Sequence, residues 1–139
     1  LFFKELGEGF AFIKNQYKIV YENKNYFIEQ YINYIINMQN AMLKNNYRTN
    51  NRYALKLNKL NDKYQNENYY IEALKELIDN NNIEVSFNAS SDSLRHNCNI
   101  DKALKKIEEI SNKQDIGIIR FEAEIALKIW KEKGIEWIK

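Results

Sequence analysis

From Phe27 to Gly134 the apolar residues recur three and four positions apart, and no proline interrupts them. That spacing is one face of an α-helix, and without proline no helix is forced to kink or stop. Ordinary usage of roughly 5% would give about seven prolines in a chain of this length. Asn, Lys, Ile and Tyr are used heavily instead, the mark of AT-rich codons. Asn is therefore a weaker turn signal here than usual.

Six helices follow from the pattern. The first runs from Phe27 to about Asn45 on a stripe of Ile28, Tyr31, Ile32, Ile35, Met38 and Met42. Thr49 or Asn50 is placed to cap the second, whose inward face is Tyr53, Leu57, Leu60 and Tyr64. The third spans about Tyr69–Asp79, and Asn80-Asn81-Asn82 closes it. The fourth, about Glu84–Asn97, uses Val85, Phe87, Ala89 and Leu94, although its serines are mediocre helix formers. Asn99 caps the fifth, Ile100–Ser111; Asp115 opens the sixth, which Gly134 stops near Lys133. The tail 135–139 is expected to fold Trp137 back onto the bundle. Connections of two to five residues make neighbours antiparallel. Helices three with four, and five with six, read as two units of about thirty residues.

Residues 1–26 read differently. Gly7 and Gly9 break the segment, and then Phe10 and Phe12, and Tyr17, Ile19 and Tyr21, alternate with a period of two. Alternation marks a half-buried strand. Glu22-Asn23-Lys24-Asn25 is a turn candidate, with Tyr26–Ile28 returning as a second strand. The expected organisation is thus a short N-terminal hairpin-like segment, 1–26, followed by a helical domain, 27–139. The whole is all-α apart from that hairpin.

Composition narrows the chemistry. The 139 residues suit one domain, and the net charge of +2 describes neither an acidic tail nor a globally basic nucleic-acid binder. No apolar run approaches the roughly 18 residues of a membrane span, so no membrane association is expected. Cys98 is the single cysteine, which excludes an internal disulfide and fits a reducing, cytoplasmic setting. His96 and Cys98 cannot assemble the three or four ligands zinc requires. No cofactor and no metal are expected. Ser90, Ser91 and Ser93 lie close to His96 but within one helix, without a glycine-rich oxyanion loop. No catalytic set results.

Two stretches resemble known families. Gln39 and Ala41, then Asn51-Arg52-Tyr53, then Ala73, Leu74 and Leu77, then Asn82, Val85 and Ala89, and finally Ala126, Leu127, Trp130 and Gly134 follow one another in a fixed order. This succession over residues 27–134 resembles the family called domain of unknown function 2019. The family often has Arg where Ser86 stands and favours Ala where Ser90 stands. The resemblance implies a HEAT- or armadillo-like α-α superhelix and no assigned activity. Phe3–Ile13, Gln16-Tyr17 and Tyr26-Phe27-Ile28-Glu29 resemble the opening of a PD-(D/E)XK nuclease family, domain of unknown function 1016. There Glu29 takes the place of the metal-binding Asp. The later Glu-x-Lys strand has no counterpart, and such a phosphodiesterase needs both carboxylates on its metal. The segment therefore reads as a relic, not a working nuclease.

The candidate site is a basic stripe. Arg48, Arg52, Lys56, Lys59 and Lys63 recur every three or four residues and share a face of the second helix. Between Lys44 and Lys63 six cations meet one acid, Asp62. Tyr47, Tyr53 and Tyr64 border them. Such a face tracks phosphates or docks an acidic protein; equally, charge runs serve as solvated faces. Acids concentrate later, at Glu72, Glu76, Asp79, Glu108, Glu109, Glu122 and Glu124, which suggests end-to-end charge asymmetry. Ten tyrosines suit an interface, because Tyr combines apolar area with a hydroxyl at low entropy cost. The reading is a non-catalytic, protein-binding helical repeat module, such as an adaptor or an immunity protein. The alternatives are nucleic-acid binding through the second-helix stripe and a remnant nuclease. Oligomeric state is left open.

Overall fold

The computed structural model describes residues 2–134. They form six helices: α1 (Phe2–Leu43), α2 (Tyr47–Tyr64), α3 (Tyr70–Ile78), α4 (Ile83–Arg95), α5 (Ile100–Ser111) and α6 (Ile118–Lys133). The expected placement of Trp137 lies outside the described residues.

The expected N-terminal hairpin is not seen among the described residues. Residues 10–28 belong to α1, a 42-residue helix about 63 Å long. The stretch that alternates also carries a helical spacing, because Ile13, Tyr17, Val20 and Lys24 lie three or four apart. Tertiary contacts settle the expected turn. The Lys24 ammonium lies 2.8 Å from Glu76 and 3.5 Å from Glu72 on α3. One turn on, Phe27 is fully buried, 5.3 Å from Tyr64 of α2 and 5.4 Å from Tyr70 of α3, centroid to centroid. A turn at residues 22–25 would pull both anchors off one face. The boundary expected between residues 26 and 27 falls inside α1.

Behind Phe27 the helices pack by hairpins. α2 returns along α1, and α1 also meets α3 and α4. α3 pairs with α4, and α5 with α6; α3 touches α5 and α4 touches α6, so the second hairpin stacks on the first. The serines that weaken α4 on paper explain its packing. Ser86 and Ser90 are buried, and their hydroxyls donate to the carbonyls of Ile78 (2.5 Å) and Ser86 (2.8 Å). Small side chains with backbone partners let α4 approach α3 closely, and Ala73 and Ala89 lie fully buried in the same core.

The caps differ from expectation in three places. Asn46, not Thr49 or Asn50, caps α2, accepting from the Thr49 amide at 3.1 Å. Asn99 precedes α5 at φ +50 without capping it; its amide donates to the Ile71 carbonyl at 3.0 Å, tying α5 to α3. Asp115 stands at φ +59 in a loop, and α6 starts only after Gly117. Gly134 ends α6 as expected.

Candidate binding surfaces

The basic stripe exists as a face. Arg48, Arg52, Lys56, Lys59 and Lys63 are all exposed along α2. Tyr53 roots its centre: the Arg52 guanidinium lies 5.3 Å, and the Lys56 ammonium 5.0 Å, from its ring centroid. Tyr53 itself is half-buried against Tyr34 of α1, centroids 6.1 Å apart. Lys63 sits 5.6 Å over the Tyr64 ring. Cation–π contacts of this exposed kind hold two cations side by side at about 0.5–1 kcal/mol each. Among the described residues none of the five joins an ion pair. The anticipated counter-charge is partly spent internally: Glu72 and Glu76 hold Lys24, and Asp79 holds Lys102 at 2.5 Å.

A second surface was not visible in the sequence. Where the end of α1 meets the starts of α4 and α6, a groove of about 580 Å³ opens. Met38, Met42 and Leu43 of α1, Phe87 of α4 and Ile118 of α6 supply its apolar walls. Met42 is 45%, Ile118 74% and Leu43 83% exposed, so this is open surface rather than core. Met42, a member of the expected core stripe, is instead largely open; α1 ends one residue after it, and among the described residues no helix covers that last turn. Methionine suits such a wall, because its unbranched, polarisable chain adapts to varied partners.

Two carboxylates edge the groove, Glu84 and Glu122. Asn82 sets the first in place. Its Oδ1 accepts from the amides of Glu84 (3.0 Å) and Val85 (3.2 Å), capping α4, while its Nδ2 donates to Gln39 Oε1 of α1 at 2.9 Å. Glu84 thus sits in the first turn of α4, two residues after the Asn82 link to α1. Burial pushes its carboxyl above the usual range, and the charge of Glu122 adds to the shift. A partly desolvated acid facing another acid is an unfavourable arrangement that a bound ammonium or guanidinium relieves.

A third feature is internal. The Asp92 carboxylate is nearly buried; its Oδ2 accepts from the Tyr31 hydroxyl at 2.5 Å and from Asn61 Nδ2 at 3.2 Å. The Tyr70 hydroxyl donates to Asn61 Oδ1 at 2.8 Å, and Arg95 lies 3.6 Å from the other Asp92 oxygen. One chain of polar groups therefore joins α1, α2, α3 and α4. Burial raises the Asp92 pKa although Tyr31, Arg95 and Asn61 oppose it; burial also raises Tyr31 and Tyr70, which remain donors. His96 ends α4 with its ring edge-on to Tyr70 at 5.2 Å, and Cys98 is buried. Glu29 is exposed on α1.

No protein-family model, curated protein or solved structure matches the chain.

Proposed function

We propose that the chain is a non-catalytic, protein-binding helical repeat module, stacked in the manner of a HEAT-like superhelix, whose groove between α1, α4 and α6 holds an apolar segment bearing Lys or Arg. The groove's chemistry carries this reading: exposed Met42, Leu43 and Ile118 beside the desolvated Glu84 and its neighbour Glu122. The stacked hairpins and the succession of motifs resembling domain of unknown function 2019 support the repeat reading. An adaptor or an immunity protein would use such a groove to hold its target. The test is fluorescence anisotropy with a labelled amphipathic Leu/Lys helix and its Leu/Glu counterpart. The Leu/Lys peptide binds and the Leu/Glu peptide does not. The double variant Glu84→Gln, Glu122→Gln weakens binding about tenfold, roughly 1.4 kcal/mol. Equal binding of both peptides, or no effect of the double variant, contradicts the proposal.

A second reading rests on the α2 face, where Arg52 and Lys56 flank Tyr53 in a row of exposed cations that join no ion pair among the described residues. An acidic protein or a nucleic-acid backbone fits that row. A single-stranded oligonucleotide titrated at two salt concentrations decides it. Salt-sensitive binding lost on Arg52→Glu, Lys56→Glu, Lys59→Glu supports the reading, and binding indifferent to those changes removes it.

A further inference from the structure

The buried polar chain around Asp92 reaches the surface in a pocket between α2 and α4. Its volume is about 410 Å³, a size that small molecules fill. From α2 come Asn61, Asp62 and two further side-chain amides; from α4 come Asp92, Arg95 and His96. Every lining side chain is polar or charged, so the pocket offers no wall to an apolar ligand. The Asp92 side chain keeps only 8% of its surface exposed. Its Oδ2 is taken by the Tyr31 hydroxyl and Asn61 Nδ2, and Tyr70 in turn holds Asn61. Its Oδ1 accepts no hydrogen bond among the described residues; Arg95 lies 3.6 Å away, too far for one. Nor is Oδ1 sealed off, since among the described residues Ser93 Oγ alone is both enclosed and unbonded. A carboxylate held in place from α1 and α2, with one oxygen left bare in a polar pocket, is a preorganised acceptor.

The charges around that oxygen select the ligand. Asp92 and Asp62 repel an anion, and Arg95 beside Asp92 repels a bare cation. A molecule carrying both charges a few ångströms apart meets neither penalty. We infer that the pocket holds a free α-amino acid. Its ammonium donates to Asp92 Oδ1, with Asp62 on the same wall, and its carboxylate accepts from Arg95 and the His96 ring. An ammonium brings three donors, and a carboxylate matches the guanidinium fork. Arg95 is able to turn to that carboxylate, because its side chain is 59% exposed and makes no other ion pair among the described residues. The remaining space takes the ligand's own side chain, which meets the two amides of α2. This pocket shares no lining residue with the groove between α1, α4 and α6, so the inference stands apart from the peptide-binding reading. A ligand held from both sides bridges α2 and α4, and binding to the folded chain alone stabilises it.

Titration of the isotope-labelled whole chain with each of the twenty L-amino acids, followed by NMR, tests this. At least one saturates with a Kd below about 1 mM and shifts the amide signals of Asn61, Asp92 and His96. Two analogues of that ligand, the amine without its carboxylate and the acid without its ammonium, bind at least about tenfold more weakly. Arg95→Gln and Asp62→Asn, both at exposed positions, each weaken binding about tenfold, and Asp92→Asn weakens it further. Glu108→Gln, exposed on α5, leaves the Kd within about twofold. Circular dichroism checks the fold of each variant; should Asp92→Asn unfold the chain, the two exposed variants still decide. Three results overturn the inference: no amino acid that saturates below about 1 mM, an analogue with one charge that binds as tightly, or binding indifferent to Arg95→Gln and Asp62→Asn. Equal loss in Glu108→Gln overturns it too, because the site would then lie elsewhere.

Discussion

Replacing Tyr31 by Phe removes one oxygen and keeps the ring, so its cost isolates the hydrogen bond to Asp92. The hydroxyl sits 2.5 Å from Asp92 Oδ2 in a site where Tyr31 has no exposed surface and Asp92 has 6%. What remains on that carboxylate is Asn61 at 3.2 Å and the exposed Arg95 at 3.6 Å. A hydrogen bond to a charged group contributes about 1.5–3 kcal/mol, and a buried acceptor left short of donors sits at the upper end. Tyr31→Phe should therefore lower stability by about 2–3 kcal/mol at pH 7.5. Chemical denaturation followed by circular dichroism measures it, through a lower midpoint at unchanged slope. The discriminating assay is a double-mutant cycle with Asp92→Asn. Against a neutral acceptor the same change should cost only about 1 kcal/mol, leaving a coupling of at least ~1 kcal/mol. Equal costs in both backgrounds would show that the ring's packing, not the charged hydrogen bond, carries the effect.

Asp92→Asn has its own signature. Burial raises the folded-state pKa of Asp92, so the folded chain binds that proton more tightly than the unfolded one. Its contribution is therefore present below the ordinary carboxylate pKa and is lost as pH rises through the raised value. Stability of the variant against pH should be flatter from about pH 4 upward, and a profile matching the parent's contradicts the assignment. Asn82→Ala removes the α4 cap and the link to Gln39 together. It should cost about 1–2 kcal/mol by thermal unfolding, whereas Asn81→Ala, exposed in the same loop, should cost little. Lys24→Met breaks the ion pairs to Glu72 and Glu76, both of them half-exposed or more, so its effect should stay under about 1 kcal/mol and shrink in high salt.

Helices α2 to α6 were legible because each carries a stripe at helical spacing and ends in turn chemistry the sequence displays. Ile100–Ser111 is recovered to the residue, and Gly134 stops α6. The N-terminal half of α1 was not. Its residues satisfy a period of two and a helical period at once, and the contact that decides between them, Lys24 with Glu76, spans 52 positions of sequence. The caps failed for a local reason: in an Asn-rich chain several residues qualify at every helix start, and Asn46 and Asn82 win by geometry. The α2 stripe was readable because one helix contains it all. The groove was not, since Met42, Glu84 and Ile118 come from three helices and only folding brings them together. Asp92 was overlooked for a related reason. A lone Asp between serines reads as surface until Tyr31 and Asn61 are seen to close over it.

Under the proposed function the groove, not the α2 face, selects the partner, by apolar contact and positive charge. Selection of random peptides displayed on phage tests it directly, with the parent protein and with Glu84→Lys, Glu122→Lys as parallel baits. The parent should enrich peptides with apolar residues at helical spacing next to Lys or Arg, and the variant should shift the enrichment to Asp and Glu. Enrichment of the same peptides by both baits, or of acidic peptides by the parent, would contradict it.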